Sequence, residues 1–150
     1  MARNEMRPND SIEQLNSLLR GEISAKETYA QAIEKLGVEG RNDVEVLRQI
    51  AREHAGAVER LRDAVRRVGG TPADSSGVWG TFANAVEGTA KAFGDAAAIK
   101  ALKEGEEHGL KDYRESVDDV DAATREIIVA DLIPAQQRHI QQLDGLLGQS

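Results

Sequence analysis

The sequence predicts an all-α fold: an antiparallel four-helix bundle with one long crossover, which itself carries a short amphipathic helix between helices 2 and 3. Three observations predict it. Apolar residues recur at steps of three and four over four long stretches, the spacing of a buried helix face. The connections between those stretches run short, long, short. Ala, Leu, Glu, Arg and Gln are abundant, whereas Pro (3) and aromatic residues (3%) are sparse, a composition that favours helix.

The first ten residues are polar and read as a flexible tail, leaving residues 11–148 as a single domain. Asp10 or Ser11 is a suitable N-cap, with Glu13 in the first turn. The first helix should run from about Ser11 to Leu36. Its stripe is Ile12, Leu15, Leu18, Leu19, Glu22, Ala25, Tyr29, Ile33 and Leu36. Gly37 and Gly40 supply a stop and a turn. Asn42 or Asp43 caps a second helix to about Val68, with Leu47, Ala51, His54, Val58, Leu61, Val65 and Val68 on one face. Gly69-Gly70-Thr71-Pro72 ends it.

Gly69 to Gly94 is too long for a bundle turn. Asp74-Ser75-Ser76-Gly77 is loop-like, and then Trp79, Phe82, Val86, Ala90 and Phe93 recur at helical spacing. A short helix there would cover the bundle as the chain crosses it, or offer an apolar surface to a partner. Asp95 should cap the third helix, with Ile99, Leu102, Glu106, Gly109 or Leu110, Tyr113, Val117 and Val120 inward. An acidic break at Asp118-Asp119-Val120-Asp121 precedes the fourth, whose stripe is Ile128, Leu132, Ala135 or Gln136, His139, Leu143 and Leu146. Pro134 should kink that helix one turn before His139, and Gly148 ends it.

Four residues, one per helix, stand where apolar side chains belong: Glu22, His54, Glu106 and His139. The chain is written twice around them. Gly21-Glu22 is followed by Tyr29, and Gly105-Glu106 by Tyr113 at the same spacing. His54 lies 32 residues after Glu22, and His139 lies 33 after Glu106. With a first turn near residue 39, Glu22 and His54 differ by only about 3 Å in height at 1.5 Å per residue. The same reasoning levels Glu106 with His139. All four therefore meet in the middle of the core.

The absence of Cys excludes disulfides and thiolate metal sites. A net charge of -7 argues against nucleic acid and against a polybasic membrane contact. No run reaches the length of a membrane span and the N-terminus lacks a signal-peptide core, so a cytoplasmic location is the default expectation. Pairing into a homodimer is compatible with an apolar flank, but the sequence marks no seam and identifies no partner.

Gly-Glu-x-x-Ala-x-x-x-Tyr in a first helix resembles rubrerythrin and its ferritin-like relatives, as does Arg52-Glu53-His54-Ala55 in the second. Ser76-Gly77-Val78-Trp79-Gly80 in the crossover resembles a small, uncharacterised bacterial branch of that superfamily. The resemblance spans roughly Leu15 to Leu146. It implies a ferritin-like bundle with a di-metal site and an iron- or peroxide-related stress function. In such sites each of two helices gives one Glu, and each of the other two gives Glu-x-x-His. Glu22 and Glu106 match the single glutamates, and His54 and His139 match the histidines. The chain departs from the pattern at Ala51 and Gln136, three residues before each His, and at Gly109, where rubrerythrins carry a further carboxylate. What remains is an incomplete site.

Two imidazoles and two carboxylates suit one Fe, Mn or Zn ion, with Gln136 as a weaker contributor. A metal-free network of Glu and His satisfies the same burial constraint. Tyr29 and Tyr113, two turns from the glutamates on the same faces, are placed to donate to them from behind. Whether the protein is an enzyme stays open. The alternative to a metal-binding protein is a structural or partner-binding bundle. Glu53, Glu107 and His108 fall off the apolar faces and are expected in solvent; Glu59 with Arg62 and Asp63 with Arg67 are expected surface pairs.

Overall fold

The computed structural model describes residues 8–36, 42–77 and 94–148, and every regular element among them is helical. In chain order these are α1 (Pro8–Leu36), α2 (Asn42–Arg67), α3 (Asp95–Ser116), a 3-10 turn (Val117–Asp119), α4 (Ala122–Ile127), a π-helical turn (Ile128–Leu132) and α5 (Ile133–Gly148). The last three segments make up one continuous fourth helix. The expected crossover helix around Trp79, Phe82 and Phe93 lies outside the described residues, as do residues 1–7.

α1 starts at Pro8, ahead of the expected Ser11. Proline suits a first turn, where its missing N–H leaves no helical bond unmade. α2 ends in a Schellman motif. The Gly70 N–H donates to the Val65 carbonyl at 2.9 Å and the Gly69 N–H to that of Arg66 at 3.0 Å. Gly69 has φ +88°, a conformation glycine adopts without strain. Gly94 (φ +90°), rather than Asp95, caps α3, so Asp95 becomes its first helical residue.

Asp121 caps α4, accepting from the Thr124 backbone N–H at 3.3 Å and from its hydroxyl at 2.6 Å. Arg67, expected to pair with Asp63, instead donates to the Thr124 hydroxyl at 2.9 Å, and Asp63 takes Arg66. Asp121→Ala is expected to lower stability by about 1 kcal/mol. A urea midpoint matching the wild type would show that the cap contributes nothing.

Pro134 brings a change of helical pitch. It has no N–H to offer the Ala130 carbonyl. The turn before it widens, so that the Ile133 N–H reaches back to the Ile128 carbonyl.

α1 packs on α2 and α3, and α5 packs on α3 and α2. The core is divided in two. One cluster holds Leu15, Leu19, Val58, Leu61, Val65 and Ile128; the other holds Leu47, Ile50, Ile99, Leu102, Leu143 and Leu146. Between them lies a layer of buried polar side chains: Glu22, His54, Glu106, Gln136 and His139. On α3 it is Leu110 rather than Gly109, and on the last helix Gln136 rather than Ala135, that is fully buried.

Candidate functional site

Each helix delivers its polar residue through the same periodicity that buries its leucines. Glu22, His54, Glu106 and His139 are 6%, 3%, 2% and 1% exposed. At that burial every polar atom needs a partner, and each finds one within the layer or from Tyr113 and Glu53 beside it.

His54 is bracketed. Its Nδ1 meets Glu22 Oε1 at 2.6 Å and its Nε2 meets Glu106 Oε2 at 2.6 Å. An ionised carboxylate only accepts, so both ring nitrogens donate when the ring is an imidazolium. Burial alone would lower the His54 pKa, but the charges of Glu22 and then Glu106 overcome it and hold the ring well above the ordinary histidine value. For Glu106 burial pushes upward, and the His54 charge and the hydrogen bonds from His139 and His54 outweigh it, bringing the carboxyl to about 2.

Glu106 is the hub. Its Oε2 also accepts from the Tyr29 hydroxyl at 2.6 Å, and its Oε1 faces His139 Nδ1 at 3.1 Å. Tyr113 donates to Glu22 Oε2. Each tyrosine thus reaches the glutamate of the other half of the chain, not the one two turns away on its own helix. Burial first, and then the adjoining carboxylate charge, push both phenols well above their ordinary value. Tyr29 also stacks on the His54 ring, with centroids 5.4 Å apart and planes at 28°.

Glu53, expected in solvent, reaches the cluster. Its Oε1 accepts from His139 Nε2 at 2.8 Å and from Arg138 at 3.1 Å, while Gln49 donates to its Oε2 at 2.9 Å. It is 29% exposed. Position 53 points about 100° away from position 54, which turns it toward α5. The doubled pattern held a signal for this: Glu53 and Arg138 occupy equivalent positions beside the two histidines and carry opposite charges. Glu107 and His108 are exposed as expected, and His108 faces Asp112 at 3.5 Å.

Gln136 donates its amide N–H to the Glu106 backbone carbonyl at 2.9 Å. Ala51 is half-buried. A cavity of about 340 Å³ lies between α1 and α3, walled by small residues such as Gly21, Ala25, Gly105 and Gly109, with Glu22, His54 and Glu106 along it.

The donors sort by position. His54, Glu106 and His139 each offer one ligand atom to a common point, the three atoms lying within 4.8 Å of one another. Glu22 falls outside that group because it meets His54 at the opposite ring nitrogen.

Fold and site together define an all-helical protein whose core is crossed by a buried histidine–glutamate cluster able to accept a metal ion. The chain belongs to the family described as Domain of unknown function (DUF2383), whose model matches residues 10–119. That match takes in Glu22, Tyr29, His54, Glu106 and Tyr113; Gln136 and His139 lie beyond it. No curated protein and no solved structure matches the chain.

Proposed function

We propose that the protein binds a single divalent transition-metal ion through His54, Glu106 and His139. The observation that carries this reading is the arrangement of the two imidazoles. Each turns one nitrogen toward Glu106 and the other onto an outer carboxylate, His54 onto Glu22 and His139 onto Glu53. A carboxylate behind a ligating histidine orients the ring and raises its basicity. Two imidazoles and one carboxylate suit zinc, iron or manganese and leave a coordination position open. A bound ion of this kind supplies a Lewis acid. The chain's own residues hold the rings, keep bulk water from the layer and, through Tyr29, keep the carboxylate of Glu106 hydrogen-bonded.

The same reading takes the bundle as ferritin-like. Pairings in which residue numbers rise on one helix as they fall on the other support this: Tyr29 with Glu106 and Tyr113 with Glu22 for α1 and α3, and Glu53 with Arg138 and Arg60 with Asp131 for α2 and the last helix. A di-metal centre of the usual ferritin-like kind does not fit, because Ala51, Gly109 and Gln136 provide no carboxylate.

A second reading, a metal-free polar network, is favoured by one observation: the 2.6 Å contacts at both nitrogens of His54 already satisfy it. Metal analysis separates the two. Protein purified without chelator or His-tag and offered Fe(II), Mn(II) or Zn(II) is expected to carry about one equivalent, and the His54→Ala/His139→Ala double variant none. No uptake by the wild type would overturn the metal reading in favour of the network.

A further inference from the structure

The position three residues before His139 is on the same helix face, so a side chain there serves the same space as the imidazole. That position is Gln136, 4% exposed. Its orientation is fixed. A backbone carbonyl only accepts, so the amide nitrogen must be the atom that meets the Glu106 carbonyl at 2.9 Å. The space it enters exists because residue 109 has no side chain: a Cβ on Gly109 would stand 2.7 Å from Gln136 Nε2. The equivalent position on α2, three before His54, is Ala51, too short to reach an ion. Two-ion carboxylate sites in helix bundles draw on four glutamates and two histidines. Here one of those places is filled by a neutral amide, turned to the α3 backbone and seated in a gap left by glycine.

We propose that Gln136, seated in the gap at Gly109, is a positioning residue that limits the site to one ion. It holds the Glu106 turn of α3 against α5 and denies a second ion the carboxylate it needs. The inference rests on the metal reading above, and it concerns stoichiometry rather than binding as such.

The test compares wild type, Ala51→Glu and Ala51→Glu/Gln136→Glu, dialysed against Mn(II) or Co(II) and read as ion equivalents per chain. One, one and two equivalents are expected. Two equivalents in Ala51→Glu alone, or one in the double variant, would overturn the role of Gln136. None in the wild type with two in the double variant would overturn the single-ion function and leave the exclusion by Gln136 standing. None in any of the three would overturn both. If the double variant loses its helical circular dichroism, the isosteric Gln136→Glu decides, read in the same way: more than one ion equivalent per chain is expected where the wild type holds one. A count no higher than that of the wild type would overturn the proposal.

Discussion

Glu106→Ala is expected to lower the unfolding free energy of the metal-free protein by about 3–5 kcal/mol, the usual effect of removing one partner from a buried ion pair. The reason is the number of groups left without a partner. Glu106 accepts from Tyr29 and His54 at 2.6 Å and faces His139 at 3.1 Å, and all four side chains are buried. Without it the His54 ring keeps only Glu22, and the Tyr29 hydroxyl has no acceptor. Glu106→Gln keeps the volume and one acceptor oxygen, so a smaller loss, about 1–3 kcal/mol, is expected. Glu59→Ala, which breaks the surface contact to Arg62, should stay within about 0.5 kcal/mol. Urea unfolding in the presence of a chelator measures all three. Similar losses for Glu106→Ala and Glu59→Ala would mean that the buried layer holds no special strain-free pairing.

The second large effect is a stability maximum on the mildly acid side of neutrality. Glu106 is depressed from 4.5 to about 2 on folding. Its contribution is therefore complete above about pH 4.5 and is lost as pH falls toward 2, on the order of 3 kcal/mol in all. His54 is shifted the other way. Its contribution is complete below its unfolded value of 6.5 and is lost as pH rises from there through the folded value. The window in which both act runs from about pH 4.5 to 6.5. Urea midpoints of metal-free protein should peak there and fall on both sides, and His54→Gln should flatten the alkaline limb. A wild-type midpoint unchanged from pH 5 to 9 would contradict this assignment of the His54 proton.

Helical periodicity carried most of the fold because each helix buries a single face. Leu15, Leu19, Leu47, Leu61, Leu102 and Leu143 could all be placed by steps of three and four, and so could the four polar interruptions. Choices between adjacent positions were settled by packing: Leu110 over Gly109, and Gln136 over Ala135. What periodicity missed depends on side-chain reach or backbone detail. Glu53 is off the face by one residue, yet its carboxylate spans the gap to His139. The tyrosines share a face with the glutamates of their own helices, but two helical turns exceed the reach of a phenol, so the partner comes from the neighbouring helix. The wide turn at Ile128–Leu132 follows from Pro134, but a proline admits either a kink or an added residue per turn, and composition does not choose between them.

The exchanged tyrosines have a consequence for how such a chain can be assembled. His54 Nδ1 meets Glu22 and His139 Nδ1 meets Glu106, within each half; Tyr29 meets Glu106 and Tyr113 meets Glu22, between halves. These are the reciprocal contacts of an isologous dimer, in which residue i meets j and j meets i. A single helical hairpin associating with a second copy of itself about a two-fold axis would complete the same tyrosine–glutamate exchange. The outer histidine contacts break that symmetry: His54 Nε2 meets Glu106, whereas His139 Nε2 meets Glu53, which also pairs with Arg138 through complementary charges that two identical hairpins would lack. The covalent fusion of the two hairpins is thus what permits unlike residues at that position.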